Sequence, residues 1–231
     1  MSVSSSLIYL ELGAVPLQFL IKSRRILFLH YILTSDKNAL LYKFFRAQNR
    51  NPTKGDWSEI IKNDLTDFGI KESYEEISQM SKLSFKARVK QSCEKKAFEY
   101  LCNLKSGQSK GKELSYTKLK MSEYLYNSQL NLTESRLLFK IRSRMMNFRS
   151  NFKMKYSTAP DVVSTPSLLC PLCQQHEDRQ DLLTTCSALA DVEISNSYRY
   201  EDMFGQDQDK LVSSFKEYQK KWKRREALLN K

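Results

Sequence analysis

Apolar side chains recur at helical spacing along most of this chain. Pro16 sits where a first helical turn tolerates it. Leu17, Leu20, Ile21, Ile26, Leu27, Leu29, Ile32 and Leu33 then run on to Ser35. Lys22, Arg24 and Arg25 interrupt them, so the pattern predicts one long, well-buried helix with a basic spot. His30 lies inside it, where packing rather than ligation is expected. Asp36 is placed to cap a second helix whose apolar face is Leu40, Leu41, Phe44 and Phe45, ended by Asn51-Pro52. Asp56 can cap a third, with Trp57, Ile60, Ile61, Leu65 and Phe68 inward and Gly69 as its stop. Ser73 and Glu76 have capping-box spacing before a fourth helical stretch. From Ser84 to Leu104, Phe85, Val89, Cys93, Ala97, Leu101 and Leu104 keep helical spacing. Cys93 and Cys102 on that helix read as small core residues, because a buried free cysteine packs like a hydrophobe.

The clearest pattern opens at Thr133-Glu134 and predicts a helix to about Lys155. Leu137, Ile141, Met145, Phe148 and Phe152 fall on one face. Arg136, Lys140 and Arg144 form an i, i+4 stripe, and Arg142, Arg149 and Lys153 form a second. Such a helix can pack on one side and offer cations on the other. Tyr156–Leu169, with Pro160 and Pro166, reads as a linker. A last helix starts near Asp207, buries Leu211, Phe215, Tyr218 and Trp222, and carries Lys220-Lys221-Trp222-Lys223-Arg224-Arg225. That basic run suits either the helix dipole or a nuclear-address or nucleic-acid patch. The expected fold is mainly α. A helical body over residues 7–155 is followed by the linker at 156–169, a small irregular cysteine module at 170–190 and a C-terminal helical segment at 198–231. With 6 Gly and 5 Pro in 231 residues, a β-sandwich with many turns is disfavoured.

Charge adds a direction. The net charge is +12, and residues 86–155 hold 17 Lys/Arg against 5 Asp/Glu, which accounts for the whole excess. A concentrated basic block is the footprint of a polyanionic partner, nucleic acid first. RNA or DNA is therefore the expected partner, with Lys110, Lys112, Arg136, Lys140, Arg142, Arg144, Arg149 and Lys153 as the expected contacts. Ser106–Lys112 is a flexible basic loop that lacks the spacer and the Lys-Ser/Thr ending of a phosphate loop. No window reaches the roughly 18 uncharged apolar residues of a membrane span, and Met1–Ser6 lacks the basic start of a secretory signal. Five cysteines, three of them clustered, suit a reducing compartment and a metal site better than a disulfide framework. An intracellular protein, nuclear or cytoplasmic, is expected.

The chemistry concentrates in the cluster. Cys170-Pro-Leu-Cys173 forms a chelate, and Cys186 supplies a third thiolate. Structural zinc takes four donors, so a fourth is needed. His176, only three residues after Cys173, must fold back tightly to reach the metal, and Asp181 is a weaker candidate.

Cys170-Pro-Leu-Cys173 followed by Glu177-Asp178-Arg179-Gln180-Asp181-Leu182-Leu183-Thr184-Thr185-Cys186 resembles a segment of non-LTR retrotransposon polyproteins. There, a CCHC zinc knuckle follows the reverse transcriptase. Tyr9–Pro16, Arg24–His30, Lys54-Gly-Asp-Trp57, Leu114-Ser-Tyr116, Leu138–Lys140 with Arg142–Met145, Asn151-Phe-Lys153 and Tyr200–Phe204 are similar to the post-polymerase region of that family, in the same order. The resemblance implies a thumb-like and linker region that helps hold template RNA and target DNA, with zinc in the knuckle. It also shows a departure. Aligned on Glu177 and Cys186, the family's zinc-binding His falls at Leu182. Either His176 substitutes, or the site holds zinc poorly, or this copy has decayed.

Catalysis is not expected. Polymerase chemistry needs paired aspartates for two metal ions, and the chain has no Asp-Asp dipeptide. No Lys lies between Lys155 and Lys210 to complete a nuclease site after Pro160-Asp161, and two histidines leave little for a triad. No small-molecule substrate is expected. The competing expectation is a protein-interaction module, or an inert decayed fragment, with no nucleic-acid role.

Overall fold

Asp56 and Ser73 cap helices as their spacing predicts. In the computed structural model, Asp56 accepts from the Glu59 backbone N–H at 2.8 Å. Ser73 and Glu76 form a reciprocal capping box. The structure describes residues 5–51, 53–106, 114–146, 148–149 and 168–230. It is mainly helical, and among the described residues only an isolated bridge, Leu169 to Glu177, is strand-like. The helices are α1 (Ser5–Leu12), α2 (Leu17–Leu33), α3 (Leu40–Arg50), α4 (Trp57–Phe68), α5 (Tyr74–Gln79), α6 (Lys82–Ser106), α7 (Leu132–Arg142) and α8 (Gln208–Leu229).

The chain divides into two compact units. Unit 2 is Tyr9–Leu104 with Thr117–Met121, and unit 1 is Met1–Ile8, Lys105–Tyr116 and Ser122–Lys231. The division therefore falls near residue 105 and not at 155.

In unit 2, Ile26, Leu29 and Ile32 of α2 pack with Phe45, Ile61, Leu65, Phe68, Ile77, Phe85 and Val89. Gly69, at φ 67, stops α4 in the left-handed region that glycine reaches without strain. α6 buries Phe85, Val89, Cys93, Ala97 and Leu101, one residue per turn. His30 is packed, stacked on Phe85 with ring centroids 5.0 Å apart. Two expectations fail here. The first half of α2 is not well buried: Leu17 is 66 % exposed, and Leu20 and Ile21 are exposed as well. Asp36 does not cap α3; its side chain accepts from the Asn38 N–H in a turn, and the helix begins only at Leu40. Of the expected α3 face, Phe45 alone is buried. α1, which the hydrophobic pattern left unassigned, ends at Gly13, whose φ is 61. A Cβ there would collide with the backbone of Lys120 and Met121.

In unit 1, one core joins Tyr124, Leu138, Ile141, Phe148, Leu183, Leu189, Met203, Leu211, Phe215 and Tyr218, with Cys170 and Cys186 among them. The cysteine segment therefore shares its core with α7 and α8. α8 starts at an Asp207 cap and buries Leu211, Phe215, Tyr218 and Trp222, as its spacing predicts.

α7 departs furthest from expectation. It is capped by Asn131, not Thr133, and it stops at Arg142, not near Lys155. Arg144 takes φ 52. Its N–H donates to the Ile141 carbonyl at 3.0 Å, and the Met145 N–H donates to the Lys140 carbonyl at 2.8 Å. This pair of bonds is the Schellman helix stop, with arginine in the position glycine usually fills. Met146, in place of the expected Met145, and Phe148 reach the core from irregular chain beyond it, so the helical spacing of Met145 and Phe148 is coincidental. Phe152, Lys153 and most of the expected linker lie outside the described residues, as do Lys110 and Lys112.

Candidate metal centre

A tight hairpin builds the centre. The Cys170 N–H donates to the His176 carbonyl at 2.7 Å, and the Asp178 N–H donates to the Leu168 carbonyl at 2.7 Å. Between these rungs the Gln174 N–H donates back to the Cys170 carbonyl at 3.0 Å, and Gln174 turns the chain at φ 56. A left-handed residue one position after Cys173 sends the chain back on itself. That turn resolves the close spacing of Cys173 and His176: both side chains reach the same point. The chain then passes through 3₁₀ turns at Gln180–Thr185 and Ser187–Leu189, which bring Cys186 to the hairpin.

One ligand atom from each of Cys170, Cys173, His176 and Cys186 lies within 4.8 Å of the other three. The Cys170 and Cys186 sulfurs are 3.8 Å apart. That is far from the roughly 2.05 Å of a disulfide. It matches the edge of a tetrahedron whose thiolates sit about 2.3 Å from a central ion, about 3.8 Å. These four side chains could hold a metal ion. Asp181, the weaker candidate, instead pairs with Arg179 at 2.9 Å.

His176 carries the most specific sign. Its Nδ1 lies 2.9 Å from the Glu177 carbonyl, to which an Nδ1–H donates. Nε2 is buried and has no hydrogen-bond partner among the described residues. A carbonyl on one ring nitrogen fixes the tautomer and leaves a lone pair on the other, as metal-binding histidines require. The thiols are graded. Burial opposes ionisation of Cys173, but hydrogen bonds from the Gln175 N–H, the Cys186 and Cys170 thiols and the His176 N–H outweigh it and bring Cys173 down to about 7. Burial, then the hydrogen bonds Cys186 makes to Cys173 and Cys170, push Cys186 up to about 12 against the Ala188 N–H. Backbone N–H groups aimed at sulfur favour thiolates.

Buried cations brace the centre from behind. Arg225 of α8 bonds both carboxylate oxygens of Asp178, at 2.9 and 3.0 Å, and both side chains are almost fully buried. The Arg149 backbone N–H also donates to Asp178, at 2.9 Å, and its side chain donates to the Leu169 carbonyl at 3.2 Å. Lys221 donates to the Leu189 carbonyl, three residues past Cys186. Arg224 pairs with Asp191 at 2.8 Å. Gln180 Nε2 donates to the Ile141 carbonyl at 2.9 Å, tying the segment to the end of α7.

These contacts redistribute the expected cations. Arg142 is buried, donates to the Met203 carbonyl at 2.6 Å and stacks over Tyr124, so it does not face a phosphate. Arg149 is committed to the hairpin, and Arg144 is half-buried at the helix stop. Arg136 and Lys140 are exposed on one side of α7, as their i, i+4 spacing predicts. Within the basic run of α8, Lys221 and Arg225 are internal, and Lys220 pairs with Glu217 at 2.8 Å. The residues overlooked were Asp178, Lys221 and Arg225. Their signal was available: Arg225 continues the spacing of Phe215, Tyr218 and Trp222, the buried face of α8.

No helix among the described residues is long and apolar enough to cross a membrane. No protein-family model, curated protein or solved structure matches the chain.

Proposed function

We propose that this chain is a non-catalytic nucleic-acid-binding protein, descended from the region that follows the reverse transcriptase in non-LTR retrotransposon polyproteins. Zinc is the structural ion of its Cys170, Cys173, His176 and Cys186 centre. Three thiolates and an imidazole in tetrahedral reach are the donor set that zinc favours. With four protein donors, such a site has no open position for a reacting water, which suits a structural role. The observation that carries the reading is this four-donor centre in a chain of net charge +12. Zinc knuckles recur among modules that bind single-stranded RNA. His176 takes the fourth place that Leu182 leaves empty by sequence, which favours a substituted ligand over a lost one.

Arg136 and Lys140 on α7 are the phosphate contacts supported within unit 1, with Lys110, Lys112 and Lys153 proposed from the sequence. Binding is electrostatic and weakly specific, in a nuclear or cytoplasmic setting. The test is binding of the purified protein to RNA and to duplex DNA across a salt series. Affinity that falls steeply with salt supports the reading. No binding at low salt overturns it.

A second reading, a protein-interaction module, is favoured by the exposed Leu17, Leu20 and Ile21 on α2 and Leu40 and Phe44 on α3. Absence of nucleic-acid binding together with self-association or a stable protein partner would select it.

A further inference from the structure

Unit 2 contains a feature that neither the metal centre nor the cations of α7 explain. A pocket of about 480 Å³ opens beside α2. Its floor is apolar, formed by Leu27, Met80 and Phe85, and its rim carries Tyr31, Lys82 and Lys86. None of its lining residues is acidic. His30 closes one wall and is already committed, its Nε2 donating to the Met80 carbonyl at 3.0 Å.

Tyr31 is 61 % exposed. Its ring lies nearly parallel to that of Phe28, at 18° with centroids 5.9 Å apart. Phe28 is itself 44 % exposed and is braced edge-on by Trp57. Lys82 and Lys86 are one helical turn apart on α6, and both are exposed. Neither side chain has a hydrogen bond or ion pair among the described residues. Lone apolar side chains on a surface need no explanation. A stacked aromatic pair, supported from beneath and set beside two cations with no carboxylate in the pocket, is more specific.

We propose that this pocket binds single-stranded nucleic acid, with a base stacked on Tyr31 and the flanking phosphates against Lys82 and Lys86. The ammonium groups select an anion, and the open ring selects a ligand that has a flat π-face as well as charge. Stacking platforms flanked by cations are the common solution for single strands, whose bases are free to leave their neighbours. A duplex keeps its base faces covered. An acidic peptide would use the lysines but leave the ring unused. The inference rests on the nucleic-acid reading above and names where and in what form the strand is held.

The test measures anisotropy of the full chain with a labelled single strand, the same strand with abasic sites, the matching duplex and a labelled mononucleotide. It compares wild type with Tyr31→Ala and with Lys82→Gln/Lys86→Gln. Circular dichroism confirms that the folds are unchanged. Tyr31→Ala is expected to weaken the base-bearing strand about 5- to 150-fold, the effect of one lost stack, and to leave the abasic strand and the duplex unmoved. The double lysine variant is expected to weaken both single strands and to reduce the salt slope by about 1.4, as two lost phosphate contacts do. If wild type binds no nucleic acid at low salt, the nucleic-acid reading fails and this inference falls with it. If wild type binds and these variants bind equally well, the reading stands and the pocket is overturned. Equal weakening of strand and duplex by Tyr31→Ala, or a mononucleotide held as tightly as the strand, also overturns it.

Discussion

Arg225 Nη2 lies 2.9 Å from one carboxylate oxygen of Asp178 and 3.0 Å from the other. The guanidinium also stacks on Phe148, 4.6 Å from the ring centroid, and on Trp222, at 5.4 Å. Asp178 is two residues past His176, so this pair joins the metal hairpin to α8. Removing one partner of a buried ion pair strands the other charge. Asp178→Asn or Arg225→Met is therefore expected to cost about 3–5 kcal/mol, whereas replacing a buried pair with apolar residues is often near neutral. Asp178→Leu/Arg225→Met should recover part of the loss, since the Arg149 N–H still lacks its acceptor. Urea unfolding of the three variants measures this. Recovery absent from the double variant would show that the ion pair is not the source of the cost.

Gln174 turns the hairpin at φ 56, where an L side chain is strained by roughly 1–2 kcal/mol. Its side-chain amide donates to the Pro171 carbonyl over a long 3.4 Å. Gln174→Gly is expected to raise stability by about 1 kcal/mol, glycine's greater freedom when unfolded offsetting part of the relief. Gln174→Val should lower it. Thermal unfolding of the metal-loaded protein gives both signs.

Gly13 combines φ 61 with a backbone approach from Lys120 and Met121 that leaves no room for a Cβ. Gly13→Ala is expected to cost more than about 2 kcal/mol, because conformational strain and a collision with backbone add. Unfolding midpoints of wild type and variant test this, and equal midpoints would contradict it.

Asp56 should report the α4 cap through pH. The N–H groups of Glu59 and Thr53 bond its carboxylate and lower it from the ordinary 3.8 to about 2. The folded value lies below the unfolded one. The cap's contribution is therefore present above about pH 4 and is lost as pH falls through 2. A carboxyl NMR titration of Asp56 should show a midpoint near 2, and Asp56→Ala should remove that part of the acid dependence of unfolding.

Elements whose signals were local were legible. Asp56 and Gly69 bracket α4, Ser73 and Glu76 cap α5, and α6 buries one apolar residue per turn. The end of α7 was not legible, because neither Gly nor Pro follows it. Arg144 enters the left-handed region, and Met145 and Phe148 continue the apolar spacing by chance. The three cysteines were legible as candidate ligands. His176 was ambiguous, because whether a three-residue spacing can close depends on the backbone at Gln174, which sequence does not display. Charge was legible in amount but not in destination. Arg142, Lys221 and Arg225 look like surface cations, yet each ends on a buried acceptor supplied from far along the chain.

The central claim is that Cys170, Cys173, His176 and Cys186 together hold a single zinc ion. Native mass spectrometry of the zinc-loaded full chain, titrated with a chelator, tests it most directly. The account predicts one zinc per chain in wild type. His176→Ala should lose zinc at chelator concentrations that wild type withstands, and Cys186→Ser should fail to hold it. Stoichiometric zinc in His176→Ala, with the same resistance to chelator as wild type, would contradict the account.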